Sequence, residues 1–308
     1  MFNLATNRAL AREKLRGAFA AGLPVSAATE PHLRGALQQT LHHSGSLVRA
    51  QLVFDMASAY GIPAKRAEKL AVAIEYFHTA SLIFDDLPCM DDATQRRGEP
   101  CIHRSHGEAA AVLAALGLVN RAYALLWNAL AGATAEQQSA ANAYVEKCLG
   151  VEGVLNGQSQ DLHYAEQPGK RPTPQQIATG KTVSLIRLSL VLPALLGGAK
   201  PAEVKLLERL AAFWGLSYQI LDDLKDLFQH PEQTGKTAAR DASLNRPNLA
   251  LAVGAPNAFR RLGRLMRLGD CTLDRLLKRL PALEFLTELR GRFWDELAGF
   301  QKTNPASI

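Results

Sequence analysis

Four carboxylates crowd residues 85 to 92, in the run FDDLPCMDDATQRRG: Asp85, Asp86, Asp91 and Asp92. The residues just before them, Ala80 to Phe84, are apolar apart from Ser81, so a buried helix delivers the acids. In a partly dry site such carboxylates raise one another's pKa and resist ionising together. A hard divalent cation resolves that conflict. Magnesium suits it, because this ion binds through a few carboxylates and shares its other positions between water and phosphate oxygens. Arg96, Arg97 and Gly98 follow directly. Guanidinium forks match phosphate oxygens in bidentate fashion, so acid for the metal and arginine for the phosphate together describe a metal–diphosphate site. Taken alone, the segment could also be a solvated acidic turn with weak ion pairs.

A second cluster lies in YQILDDLKDLFQHPEQTGKTAARD, residues 218 to 241. Asp222 and Asp226 are four apart and share a helical face, where both could reach one metal ion, while Asp223 points to one side. Lys236 follows Gly235 in a loop-like stretch, and Arg246 lies beyond it. A lone DDxxD is weak, since acidic helix faces are common. Two clusters in one chain are harder to dismiss as solvated surface.

The elements that must position these groups read as helix almost throughout. Apolar residues recur at helical spacing over 5–20, 31–41, 47–60, 64–86, 106–131, 134–156, 174–196, 202–229, 238–252 and 257–301, and alternating strand patterns are scarce. Pro88 cannot continue the hydrogen-bond ladder, which places the first cluster at a helix end. The expectation is an all-α fold in a single domain over residues 1–308, a helical bundle with the two acidic helices facing a central cavity.

Composition agrees. The chain is 47% hydrophobic, only 6% aromatic and 21% charged, and its apolar share is mostly Ala and Leu, both strong helix formers. The net charge of +6 allows an anionic ligand, but no basic run interleaves with aromatics, and Arg260, Arg261, Arg264 and Arg267 read as a solvated helix face. No nucleic-acid partner is expected. The four cysteines, Cys89, Cys101, Cys148 and Cys271, form no CxxC, which fits a reducing cytoplasm. No run of eighteen or more uninterrupted apolar residues occurs, so no membrane span is expected.

Taken as a set, these motifs resemble the trans-isoprenyl diphosphate synthase family, which includes farnesyl and geranylgeranyl diphosphate synthases. Asp85, Asp86, Asp91, Arg96, Arg97 and Gly98 match the first aspartate-rich motif and its RRG. Gly157, Gln158, Asp161 and Leu162 match the GQxxDL block, and Lys181 with Thr182 the Lys-Thr block. Gln219, Asp222, Asp223 and Asp226 match the second aspartate-rich motif, with Tyr218 in place of Phe, and Gly235 and Lys236 follow in order. Arg246 stands where a lysine is usual.

The resemblance implies a prenyltransferase that condenses isopentenyl diphosphate with an allylic prenyl diphosphate by ionisation, condensation and elimination. It implies three magnesium ions on Asp85, Asp91 and Asp222, with Asp226 acting through water, and neutralisation of the allylic diphosphate by Arg96, Lys181 and Lys236. Arg49, His78 and Arg97 match the isopentenyl contacts, Thr182 and Gln219 would flank the developing cation, and the family is usually dimeric, with the apolar segment 108–130 either supplying a homodimer interface or belonging to the core. Chain length would be set one or two turns before Asp85: Ala80 is too small to block a tail, and Phe77 or Tyr76 would form the floor, favouring a twenty-carbon product over fifteen.

Two departures fall on the condensing half. GSLVRA stands where GKxxRP is usual, so Ser46 replaces a lysine and Ala50 a proline, and Phe84 replaces a frequent histidine. Losing an ammonium beside a diphosphate should cost about 1–3 kcal/mol, against which His42 and His43 stand close by in sequence. The same departures keep two other readings open: a terpene cyclase-like enzyme that ionises a lone prenyl diphosphate, and a weakly active regulatory subunit of a heteromeric synthase.

Overall fold

A computed structural model describes residues 2–42, 45–166, 172–228 and 246–303, with side chains from residue 10 to residue 300 of these. The chain forms two compact units, which divide within the seventh helix, after Gln138. Apart from one short hairpin, every regular element in the described residues is helical, in agreement with the all-α expectation.

The first unit holds α1 (Phe2–Ala21), α2 (Pro31–Gln39), α3 (Val48–Ala59), α4 (Ala64–Asp85), α5 (Ile102–His106) and α6 (Glu108–Leu130). Small side chains let α4 and α6 approach closely: Ala67, Ala71, Ala73 and Ala80 on one, Ala111, Ala114, Ala115 and Ala122 on the other, all at most 1% exposed. Arg66 Nε donates to Ala129 O at 2.7 Å and ties the start of α4 to the end of α6. Between α4 and α5 runs a hairpin of β1 (Gln95–Arg96) and β2 (Glu99–Pro100), which the sequence pattern did not announce. Its turn consists of Arg97 and Gly98, at φ 57° and 83°. Left-handed backbone at both central residues is what a tight hairpin with right-twisted strands requires, and Gly98 supplies one of the two without strain.

The second unit holds most of α7 (Ala135–Leu149), then α8 (Val154–Leu162), α9 (Pro174–Ala178), a π turn (Thr179–Val183), α10 (Ser184–Leu196) and α11 (Pro201–Phe228). It ends with α12 (Leu249–Val253), α13 (Ala255–Leu277), a 3₁₀ turn (Pro281–Leu283) and α14 (Leu286–Thr303). Several expected helices are therefore broken. The stretch 134–156 stops at Gly150 and restarts after Gly153, where a Cβ would lie 2.0 Å from Cys148 O. The stretch 257–301 breaks at Pro281, which lacks an amide hydrogen for the ladder. Of the expected helix 238–252, residues 238–245 lie outside the described residues, and the remainder begins at Leu249, capped by the Asn248 side chain. One core cluster of this unit joins α11, α12, α13 and α14 and includes Leu224, Leu262 and Met266.

Two stretches, Glu108–Leu130 and Pro174–Leu196, are long and apolar enough to cross a membrane by length and composition. The sequence expectation of no span rested on uninterrupted apolar runs, and polar interruptions such as Asn120 and Arg187 hid both stretches from that test. In the second, 61% of the most apolar window is buried inside the protein, as in the core helix of a soluble fold, and in the first 39%.

Candidate active site

The first aspartate cluster is shaped by the way α4 ends. With Pro88 blocking further helix, the chain folds back: Asp91 N donates to Asp85 O at 3.0 Å and Ala93 N to Asp86 O at 3.2 Å. The loop thus returns Asp91 to Asp85 across five intervening residues, and both side chains are partly exposed. Asp86 has a different setting. It is 3% exposed, and Arg96 grips it, Nε at 2.8 and 2.9 Å and Nη2 at 2.6 Å. Burial alone would lower the Arg96 pKa, but the Asp86 hydrogen bonds and the charges of Asp86 and Asp85 reverse this and raise it. The spacing made Asp86 a catalytic candidate and Arg96 a phosphate ligand; the structure pairs them with each other. Asp92, with φ 46°, pairs with Arg104 at 2.6 Å.

A basic group lies in the same unit. Arg49 Nη1 donates to His78 Nε2 at 3.1 Å, which makes that ring nitrogen the unprotonated one. The Arg49 Nε is buried and has no acceptor among the described residues. The guanidinium of Arg97 lies over Gly45, where a Cβ would come within 2.6 Å of it, and the left-handed φ of 57° accounts for glycine at the start of GSLVRA. Beneath them is a residue the motifs did not single out. Glu75 is 3% exposed and accepts from Ala50 N at 3.1 Å. Burial pushes its carboxyl pKa up, while Arg49 and Arg97 oppose the shift. Its signal in the sequence was an acid inside the apolar run AVAIEYF. Ser46, at the position of the missing lysine, is exposed, as is His42, and His43 lies outside the described residues.

The expected chain-length residues part company. Ala80 is 1% exposed on α4. Phe77 stacks edge-on with Tyr123 of α6, ring centroids 4.9 Å apart. Tyr76 instead packs against α1: its hydroxyl donates to Phe19 O at 2.6 Å and its ring meets Phe19 at 4.7 Å. It is a strut between α1 and α4, and Tyr123 is the aromatic partner that sequence reasoning missed.

In the second unit, Lys181 and Thr182 sit on the π turn, a helical irregularity frequent at functional sites. Two glycines permit the crossing that positions them. A Cβ on Gly157 would lie 2.2 Å from Lys181 N, and one on Gly180 would lie 2.9 Å from Gly157 Cα. With α8 so close, Asp161 Oδ2 accepts from Lys181 Nζ at 2.7 Å, and Arg246 Nη1 donates to Asp161 O at 3.2 Å. Thr182 Oγ1 donates to Gln219 Oε1 at 2.6 Å, and Gln219 Nε2 donates to Asp223 Oδ1 at 2.8 Å. Asp223, 2% exposed, also accepts from Leu249 N at 2.8 Å, anchoring the start of α12. Asp222 and Asp226 are partly exposed on the adjoining face of α11, while Lys236 lies outside the described residues.

Among the described residues, no three His, Cys, Asp or Glu side chains converge as a ready-made metal cluster. Magnesium does not need one, since one or two carboxylates with water and substrate phosphate suffice. The donors on offer are hard carboxylate oxygens, and the return of Asp91 to Asp85 suits a shared ion.

The profile of the polyprenyl synthetase family matches residues 30–265. The chain is 36% identical over 281 residues to the chloroplastic geranylgeranyl pyrophosphate synthase of Capsicum annuum, covering 91% of this chain and 70% of that protein. It is 31% identical to the farnesyl diphosphate synthase of Bacillus subtilis (strain 168), over 72% of this chain and 77% of that one. A geranyltransferase of Helicobacter pylori, crystallised with magnesium and isoprenyl diphosphate, superposes with a TM-score of 0.78 at 26% identity, over 97% of this chain and 95% of its own. The profile match and the ordered motifs together make this chain a member of the polyprenyl synthetase family.

Proposed function

We propose that the protein is a magnesium-dependent short-chain prenyltransferase in which the two units act as one catalytic domain, joining isopentenyl diphosphate to an allylic prenyl diphosphate. The main support is the arrangement of the ionising residues in a member of this family: Thr182 bonded to Gln219 and Lys181 beside Asp161, with the partly exposed carboxylates of Asp222 and Asp226 on the same helix as Gln219.

Asp85 and Asp91, with Asp222 and Asp226, would hold the magnesium, three ions in the full complex. Bound there, the metal supplies positive charge that favours departure of the diphosphate. Lys181, Lys236 and Arg246 would add positive charge toward the diphosphate, and Arg96, paired with Asp86, would contribute through that carboxylate. As the allylic C–O bond breaks, the Thr182 and Gln219 oxygens offer dipoles to the carbon that becomes positive. Arg49, His78 and Arg97 hold the isopentenyl diphosphate so that its double bond attacks that carbon. Loss of a proton from the adduct to the departed diphosphate restores a double bond and leaves a chain five carbons longer. Ala80 leaves room for the tail, and Phe77 with Tyr123 would form its floor, with a twenty-carbon product favoured. A homodimer would bury the α6 face bearing Leu113, Leu116 and Trp127, each more than half exposed in the single chain. Four free cysteines agree with a cytoplasmic setting.

The exposed Ser46 favours one second reading, an enzyme that ionises a prenyl diphosphate without extending it. Incubation with magnesium, labelled isopentenyl diphosphate and primers of ten, fifteen and twenty carbons separates the two. Longer linear diphosphates are expected. Hydrocarbons or alcohols from the primer alone would establish the second reading, and no product at all would sink both.

A further inference from the structure

The second aspartate motif carries a cation inside it. In DDLKD, Lys225 stands three residues after Asp222 and directly before Asp226. Residues three apart on a helix are neighbours, so an ammonium at this position has the Asp222 carboxylate within its ordinary reach. A lysine resting there would occupy a carboxylate oxygen and oppose a divalent ion with its own charge. The fold sends it elsewhere. Lys225 Nζ donates to Glu296 Oε1 on α14, seventy-one residues further along the chain.

An exposed pair of this kind adds little stability, and its two side chains are 29% and 43% exposed. Its consequence is where the ammonium goes. The helix that presents Glu296 is pinned on both sides of that residue. Before it, Phe293 packs on Trp214 of α11 with ring centroids 5.9 Å apart, and Trp294 Nε1 donates to Asp270 Oδ2 of α13 at 3.0 Å. After it, Phe300 meets Phe228 of α11 at 5.9 Å and Phe259 of α13 at 5.8 Å, and Leu297 is 5% exposed. The Glu296 carboxylate is therefore offered to Lys225 by a backbone already fixed against the helix that bears the motif.

We propose that Glu296 is a positioning residue for the second aspartate motif: it holds the Lys225 ammonium away from Asp222 and Asp226 and so keeps their oxygens for magnesium. This role presupposes that Asp222 and Asp226 hold the metal. It gives α14, which carries none of the motifs, a part in the metal requirement of the reaction.

Manganese binding to the full chain, followed by loss of the free-ion EPR signal, tests it. Asp85→Asn/Asp91→Asn in every protein takes the first motif's carboxylates out of the readout. Against that background Glu296→Gln should weaken manganese binding roughly threefold or more, the effect of one unbalanced unit charge beside the ion. Lys225→Gln/Glu296→Gln should bind as the parent does. Asp295→Asn, which removes the same charge from the adjacent exposed residue, should leave the affinity near the parent's. With the first motif intact, Glu296→Gln should raise the magnesium needed for half-maximal prenyl transfer by a similar factor while the rate at saturating magnesium is retained, and the double variant should reverse the shift. Equal manganese affinity in parent and Glu296→Gln, a double variant as weak as the single one, or an equal loss in Asp295→Asn would each overturn the proposal. Asp222→Asn separates this role from the reading beneath it. If Asp222→Asn loses manganese while Glu296→Gln does not, the positioning role alone fails; if Asp222→Asn binds as the parent does, or the parent binds none, both fail.

Discussion

The paired aspartates of the two motifs divide their work in the same way, although they lie in separate units and on unrelated neighbours. In each pair the first member, Asp85 or Asp222, is partly exposed, and the second, Asp86 or Asp223, is 3% or 2% exposed. Asp86 holds a largely buried arginine that arrives on a hairpin, and Asp223 holds Gln219 together with the first turn of α12. One carboxylate stays partly exposed while its neighbour ties the helix to another segment. An adjacent pair on a helix points its side chains about 100° apart, so the two cannot share a face.

If that division holds, substitution should separate activity from stability, and the largest effect falls on the exposed members. Asp85→Ala and Asp222→Ala should each lower kcat/KM by at least about a hundredfold with little change in melting temperature. A matching loss of fold would break the comparison. Substituting the buried members should do the reverse in emphasis. Asp86→Ala strands the Arg96 charge in the interior and should destabilise by about 3–5 kcal/mol, whereas an Asp86→Leu/Arg96→Met double variant should recover much of this in denaturant titrations. Asp223→Ala, which removes two hydrogen bonds, should cost about 1–3 kcal/mol.

The glycine crossing sharpens the contrast. Gly157→Ala pushes a Cβ into the Lys181 backbone and should cost about 1–3 kcal/mol together with activity. Gly17→Ala, in α1 with nothing within 4 Å, should be neutral or stabilising by up to about 1 kcal/mol, as melting of the two variants side by side will show. Next comes a change of product rather than rate: Ala80→Tyr should shorten the chain made, and an unchanged product would remove the α4–α6 space from the account of chain length.

The smallest expected effect is a pH dependence at Glu75. Its folded pKa lies above the ordinary 4.5, so its contribution to stability is fully present below the unfolded value and is lost as pH rises through the folded one. Relative to Glu75→Gln, the parent should therefore gain stability as pH falls from neutrality. A constant difference in melting temperature across that range would mean that Glu75 stays charged beside Arg49 and Arg97.

The sequence by itself determined the helical class, the position of the first acidic cluster at a helix end and of the second on one helical face, and the expectation of carboxylate, magnesium and diphosphate chemistry. Local periodicity and residue type are enough for these, because the forces that make a helix act over three or four residues. Only the tertiary structure decided which aspartate of each pair is internal, that Arg96 turns back to Asp86, that Lys181 rests on Asp161, that Glu75 lies beneath the arginines, and that Tyr76 faces α1. Each of these is a choice of partner ten to fifty-seven residues away in sequence. It is settled by a turn, a glycine crossing or a packed helix face that local pattern leaves open.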